Sequence, residues 1–123
     1  MKKVLIVDDE ASIRSLVREC IQTDGYELRE AENGTEALKV AREFKPDLVI
    51  LDLMMPDMWG YDVCAEIKKD PETSRAIVLF LTARSSRPSQ KMGDLSGGDD
   101  YIVKPFNPLE LREKVLKLLK ADR

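Results

Sequence analysis

The chain has 123 residues, of which 43% are hydrophobic and 35% are charged, and its formal net charge is −3. This length suits one domain with a proper core and is too short for two domains. The chain has no histidine, which excludes histidine-based catalysis and histidine-ligated metal, and its mild acidity argues against a nucleic-acid-binding surface.

The first part of the chain predicts two strands and two helices in alternation. Residues 4–7 form an apolar run typical of a buried strand, and an apolar stripe over residues 11–23 predicts an amphipathic helix that Gly25 would end. Residues 26–31 alternate in polarity and predict a second strand, nearer an edge of the sheet. Asn33, followed three residues later by a glutamate, predicts the capped start of a second helix.

The third predicted strand carries a carboxylate at its end. An apolar run between Pro46 and Pro56 is typical of a strand buried on both faces, and Asp52 lies within this run. Burying an unpaired carboxylate costs roughly several kcal/mol. We therefore expect Asp52 at the C-terminal tip of the strand rather than inside the core. A helix over about residues 61–69 is predicted next.

The last part of the chain predicts two more strands, over residues 77–81 and 100–103, and two more helices. The helix predicted over residues 85–96 is a poor one because it contains a proline, several serines and a glycine, which costs about 1 kcal/mol relative to alanine. The final helix begins well, with Asn107 as its cap and Pro108 at its first position. Five strands alternating with five helices predict a mostly parallel sheet that helices cover on both faces.

Four of the five predicted strands end on residues capable of phosphate or metal chemistry. These residues are Asp8 with Asp9, Asp52, Thr82 and Lys104. Parallel strands place their carboxyl ends on one edge of the sheet, so we expect these side chains to converge. Crowded carboxylates repel one another unless a cation is present, and Mg²⁺ prefers carboxylate oxygens and water. One carboxylate would then act as a nucleophile, as in aspartyl-phosphate enzymes, while the threonine and the lysine bind phosphoryl oxygens.

Each of these residues also has an ordinary structural explanation. Asp8, Asp9 and Glu10 can simply begin a helix, where acidic side chains complement the helix dipole. Thr82 can cap a helix, and Lys104 can be a solvated turn residue. These explanations are sound one at a time, but their coincidence at four strand ends is much less plausible than a shared site.

The chain resembles a receiver domain of a two-component response regulator over essentially its whole length, residues 1–123. The resemblance rests on several short motifs taken together. They are Asp8-Asp9, Asp52 to Pro56 with Gly60, Thr82-Ala83, and Asp99 to Phe106 with Tyr101, Lys104 and Pro105 in it. The family implies an α/β fold with a doubly wound, five-stranded parallel sheet, flavodoxin-like (βα)5, in the strand order 2-1-3-4-5.

The resemblance implies a phosphoryl-transfer reaction at Asp52. A histidine kinase or a phosphotransfer protein would donate the phosphoryl group, with Mg²⁺ as the cofactor. The implied metal ligands are Asp9, Asp52 and the backbone carbonyl of Met54, with Asp8 assisting through water. The domain would catalyse its own phosphorylation and slow dephosphorylation while acting chiefly as a signalling switch.

The resemblance also implies how the switch works. Thr82 and Lys104 would bind the phosphoryl group, and the peptide bond between Lys104 and Pro105 would be cis. Thr82 and Tyr101 would carry the signal to the face made by the fourth helix, the fifth strand and the fifth helix. That face would contact a downstream target protein or an output domain, through the fragile segment 85–98.

Two positions are expected to set how long the phosphoryl group lasts. They lie two residues after Asp52 and two after Thr82, where members of the family vary, and they hold Met54 and Arg84 here. Methionine makes no useful hydrogen bond to water, and arginine has donors only, so neither can accept a proton from an attacking water. We therefore expect slow dephosphorylation.

Three other classes of protein deserve comparison. A haloacid-dehalogenase-like phosphatase needs a second acid two residues after its nucleophile, where this chain has Met54. A flavodoxin needs a phosphate-binding loop rich in serine, threonine and glycine after the first strand, where Asp8, Asp9 and Glu10 would repel phosphate. A degenerate receiver that only binds proteins would lack the acceptor, the acids or the lysine, all of which are present.

The cellular setting follows from what the sequence contains. Cys20 and Cys64 are far apart in predicted helices and have no metal or redox spacing, which fits a reducing, cytoplasmic compartment. No apolar run reaches about 18 residues, and no signal peptide precedes the first strand, so we expect no membrane contact. We expect no direct nucleic-acid binding either. Since no output domain follows Arg123, we expect a stand-alone receiver or one cut from a longer regulator.

Overall fold

The computed structural model describes residues 1–83 and 98–121. The helix predicted over residues 85–96, and Arg84 before it, lie outside the described residues.

The described residues form one parallel sheet of five strands in the order β2-β1-β3-β4-β5. The strands are β1 (Lys3–Val7), β2 (Glu27–Ala31), β3 (Leu48–Asp52), β4 (Ile77–Ala83) and β5 (Asp100–Lys104). The predicted order and direction of the strands are confirmed. The strand predicted nearer an edge, β2, is an edge strand, since it stands first in this order. Exposed and partly buried residues alternate along most of it.

Four α-helices lie in the described part of the chain. They are α1 (Ala11–Ile21), α2 (Gly34–Phe44), α3 (Gly60–Lys69) and α4 (Pro108–Ala121). A short 3-10 helix, Gln22–Asp24, follows α1, and Gly25 ends it in the left-handed conformation at φ 81°. The predicted caps are also present, because the side chains of Asn33 and Asn107 accept hydrogen bonds from the backbone amides of Glu36 and Leu109 at 2.8 Å.

The sheet is buried by helices on both faces. On one face α2 and α3 cover alternate strand residues, which include Leu5, Val49, Leu51, Val78 and Phe80. On the other face α1 and α4 cover the intervening strand residues, whose side chains point the opposite way and include Val4, Ile6, Ile50, Leu79 and Leu81. Full burial of such a side chain contributes about 1.5–3 kcal/mol, so these two layers hold the strands in register. The candidate functional site lies at the carboxyl edge of the sheet, where the strands end.

Within the described residues, no helix has both the length and the apolar character needed to cross a membrane.

Candidate functional site at the carboxyl edge of the sheet

The register of the sheet brings the predicted residues together. Asp52 ends β3 opposite Leu81 of β4, and the last residues of β4, Thr82 and Ala83, pair with Val103 and Lys104 of β5. The side chain of Lys104 therefore reaches back across the carboxyl edge toward β3 and β1. The convergence expected from a parallel sheet is what the structure shows.

Asp8 is a fully buried carboxylate with both oxygens engaged. One oxygen accepts a hydrogen bond from the Lys104 ammonium at 2.8 Å, and the other accepts one from the backbone amide of Glu10 at 2.9 Å. Asp9 and Glu10 are exposed beside it. Asp8 thus acts as the counterion of Lys104 in this structure.

Asp52 lies at the tip of β3, as predicted, but only 6% of it is exposed. The expectation that the tip would keep it out of the core was therefore incomplete. Lys104 explains the difference, because its ammonium lies 3.5 Å from an Asp52 oxygen and partly offsets the cost of burial. The Met54 amide adds a weak hydrogen bond at 3.4 Å.

The pKa of Asp52 is raised to about 6. Burial is the largest cause, and the negative charge of Asp8 adds to it, with Asp9 contributing less. The positive charge of Lys104 and the Met54 amide act in the opposite direction but do not cancel these effects. The site therefore resists the negative charge that Asp52 carries at neutral pH.

Lys104 remains charged although its side chain is only 17% exposed. Burial alone would lower its pKa, but the hydrogen bond to Asp8 and the charges of Asp8 and Asp52 outweigh burial, and the pKa is raised. One ammonium faces several carboxylates, so the edge keeps an excess of negative charge.

The acidic groups fit a hard divalent cation. Carboxylate oxygens of Asp8, Asp9 and Glu10 all lie within 4.8 Å of one another, an arrangement that could hold a metal ion. Oxygen donors of this kind are those that Mg²⁺ takes. Glu10 was considered from the sequence only as a residue that begins a helix, and its place directly after two aspartates is the signal that could have identified it.

Of the other predicted residues, Thr82 lies near the carboxyl end of β4, whereas Tyr101 pairs with Phe80 farther back along the sheet. Thr82 is buried, and its hydroxyl donates a hydrogen bond to the Ala83 carbonyl at 3.1 Å. Tyr101 is partly buried and packs against the core layer of α2 and α3. The Lys104–Pro105 peptide bond is cis, as the resemblance implies.

The loop after Asp52 passes close to the strand that carries it. The Gly60 amide donates a hydrogen bond to the Leu53 carbonyl at 2.7 Å, and a Cβ at Gly60 would lie 2.5 Å from the Asp52 carbonyl oxygen. Glycine is needed here because any side chain would meet backbone. The sequence did not identify Asp57 in this loop, whose carboxylate accepts a hydrogen bond from the Thr35 amide of α2. Its position directly after Pro56 gave no signal of this contact, because Thr35 is 22 residues away in the chain.

The fold and the site together are those of a receiver-type domain. The chain matches the response regulator receiver domain family over residues 4–116, and it belongs to that family.

Relatives and solved structures agree with this assignment. The probable transcriptional regulator ycf27 of Pyropia yezoensis is 43% identical over 123 residues, which are 99% of this chain and 49% of that protein. The transcriptional regulatory protein ResD of Bacillus subtilis is 43% identical over 118 residues, 96% of this chain and 48% of that protein. The chain thus spans about half the length of these curated relatives.

Among solved structures, the chemotaxis response regulator CheY4 of Vibrio cholerae superimposes with a TM-score of 0.88 at 35% identity, covering 96% of this chain and 98% of that one. The resemblance stated from the motifs and the flavodoxin-like fold that it implied are confirmed.

Proposed function

We propose that this receiver domain accepts a phosphoryl group on Asp52 from a histidine kinase or a phosphotransfer protein, with Mg²⁺ bound at the acidic edge. The observation that carries the proposal is the buried Asp52 carboxylate, which lies at a strand end 3.5 Å from the Lys104 ammonium. Burial beside other charged groups shifts the properties of a carboxylate, which is common for reactive groups in functional sites. A nearby lysine can then stabilise the negative charge of the phosphorylated product.

The proposed reaction uses the residues of this edge in distinct ways. A carboxylate oxygen of Asp52 attacks phosphorus, the phosphorus–nitrogen bond of the donor's phosphohistidine breaks, and the freed ring nitrogen takes up a proton. The Lys104 ammonium, 3.5 Å from one Asp52 oxygen, is proposed to contribute positive charge to the phosphoryl oxygens. The Thr82 hydroxyl, at the end of the next strand, is proposed as a further donor. Most of the catalysis is positioning and charge, as is usual in phosphoryl transfer.

Mg²⁺ fits this site through its oxygen donors. The proposed ligands are Asp9, Asp52 and the backbone carbonyl of Met54, with Asp8 acting through water and Glu10 a further carboxylate nearby. When bound, the cation supplies positive charge that offsets the negative phosphoryl oxygens. Asp8 is suited to an indirect role because it is fully buried and one of its oxygens is paired with the Lys104 ammonium.

The output of the domain is proposed to be a downstream target protein or an output domain. The relatives named as transcriptional regulators are about twice as long as this chain, so control of transcription is the output we propose for the longer protein. The receiver itself, with a formal net charge of −3, would not contact DNA. We place this signalling in the cytoplasm.

A small-molecule phosphodonor tests the proposal directly. Wild-type protein mixed with an acyl phosphate and Mg²⁺ should gain one acid-labile, hydroxylamine-sensitive phosphoryl group, and chelation should prevent this. Asp52→Asn should abolish the incorporation, whereas Asp9→Asn should raise the Mg²⁺ concentration needed and leave the fold intact. Undiminished, stoichiometric labelling of Asp52→Asn would remove Asp52 as the acceptor. Rapid release of phosphate in many turnovers would instead favour a phosphatase, and no labelling at all a degenerate receiver.

A further inference from the structure

The loop that follows Asp52 is closed on itself. It comprises residues 53–59, and its ends are joined by the 2.7 Å hydrogen bond from the Gly60 amide to the Leu53 carbonyl. Met54 and Trp59 also form an isolated antiparallel bridge across it. These two contacts tie Met54 to the other end of the loop, so an anchor on the far side of the loop also restrains Met54.

Asp57, on the far side of this loop, is bonded to the first turn of α2. One carboxylate oxygen accepts a hydrogen bond from the Gly34 amide at 2.9 Å. The other accepts bonds from the Thr35 amide at 2.9 Å and from the Thr35 hydroxyl at 2.8 Å. The pKa of Asp57 is lowered to about 2, chiefly by the Gly34 amide and then by the two Thr35 donors, so the carboxylate is ionised at neutral pH.

A second contact fits the loop to the same turn. A Cβ at Gly34 would lie 2.8 Å from both the Cβ and the Sδ of Met58. The missing side chain at Gly34 therefore leaves the space in which Met58 lies. Two consecutive loop residues, Asp57 and Met58, thus meet the first turn of α2, one by hydrogen bonds and the other by packing.

We propose that Asp57 is a positioning residue, which anchors loop 53–59 to α2 and so holds the Met54 carbonyl where a divalent cation beside Asp52 can use it. The inference deepens the proposed function and rests on it. A carbonyl already held in place loses little conformational freedom when the cation binds, which is the general advantage of a preorganised site. Without the anchor, the loop would have to be ordered at the moment of binding.

The competing explanation is that Asp57 only caps α2. The chain offers a matched control for that explanation, because Asn33 caps the same helix through the Glu36 amide but comes from the segment before the helix. Both caps satisfy amides that the helix itself cannot pair, and losing either should weaken the fold. Only Asp57 connects the helix to the loop that carries Met54.

The test is a Mg²⁺ titration of wild type, Asp57→Ala, Asp57→Asn and Asn33→Ala, followed in parallel by calorimetry and by fluorescence of Trp59. Trp59 is the only tryptophan in the chain, lies in the loop and is 57% exposed. We expect Asp57→Ala to raise the Mg²⁺ dissociation constant about 10-fold or more, as loss of an outer-shell partner does. Asn33→Ala should stay within about twofold of wild type although it lowers stability.

The asparagine variant separates charge from anchoring, since its amide oxygen can still accept one bond from α2; we expect an intermediate dissociation constant. Phosphorylation by an acyl phosphate should be slower in Asp57→Ala at low Mg²⁺ and should approach the wild-type rate at saturating Mg²⁺. An unchanged dissociation constant in Asp57→Ala, or an equal rise in Asn33→Ala, would overturn the anchoring role while leaving the proposed function intact. A wild-type protein that binds no Mg²⁺ would overturn the proposed function itself.

Discussion

Replacing Asp52 with asparagine should stabilise the folded protein at neutral pH when divalent cations are absent. Asparagine keeps the shape of the side chain and removes the charge that the site resists. The pKa of Asp52 is raised to about 6 by burial and by the charges of Asp8 and Asp9, even though Lys104 and the Met54 amide oppose the rise. The asparagine oxygen can still accept the Met54 hydrogen bond, so the change is mainly one of charge.

The expected size follows from the pKa of Asp52 in the folded and unfolded chains. A raised folded pKa means that the folded state binds the proton more tightly, so stability is fully present at low pH and is lost as pH rises through about 6. A rise from 3.8 to about 6, at about 1.4 kcal/mol per pH unit, gives about 3 kcal/mol by pH 7. At pH 4.5 the same relation leaves about 1 kcal/mol.

Urea unfolding in a chelating buffer between pH 4.5 and 8, followed by far-ultraviolet circular dichroism, measures this difference. Asp57→Asn is a control of opposite sign, because the pKa of Asp57 is held at about 2, below its ordinary 3.8. Its charge stabilises the fold above pH 3.8, and this contribution is lost as pH falls toward 2. The reasoning is refuted if Asp52→Asn is no more stable than wild type at pH 7, or if its advantage does not shrink at pH 4.5.

Three further predictions concern the loop, the lifetime of the phosphoryl group and the switch. Gly60→Ala should lower the free energy of unfolding by about 1–3 kcal/mol, measured by urea titration, because its Cβ would meet backbone of β3. A Met54→Asn, Arg84→Glu double variant should lose its acyl phosphate about 5- to 150-fold faster than wild type at equal Mg²⁺, and equal half-lives would contradict this. Hydrogen exchange should show residues 85–98, for which the sequence predicts a helix, as less protected than α1 to α4 and as the segment most changed by beryllofluoride; protection equal to that of α4 in both states would contradict it.

Much of the fold was accessible from the sequence because it depends on short-range pattern. Apolar runs indicated the strands, and the alternation of strands with helices predicted a parallel sheet covered by helices. Parallel direction then placed Asp52 and Lys104 at one edge without any further information. The limits of elements were less accessible, since they depend on partners: β4 continues beyond residue 81 because Thr82 and Ala83 pair with β5.

The parts of the site that sequence could not give are those set by contacts between distant segments. Asp57 reads as an ordinary turn residue after a proline, and its bonds to Gly34 and Thr35 exist only because the folded loop lies against α2. Asp52 lies at the predicted strand tip, but the sequence did not reveal that this tip is buried, for a similar reason. The cost of burying a carboxylate was correctly taken as high, but the position of Lys104, which reduces that cost, belongs to the three-dimensional arrangement.

The way each carboxylate is held supports the choice of Asp52 as the nucleophile. Asp8 is fully buried and accepts hydrogen bonds of 2.8 and 2.9 Å on its two oxygens, so its carboxylate holds Lys104 and the Glu10 amide in place. Asp52 is held by longer contacts of 3.4 and 3.5 Å. The same negative charge that destabilises the cation-free fold thus becomes reactive once positive charge is brought to the edge, which ties the proposed Mg²⁺ requirement to the predicted gain in stability on Asp52→Asn.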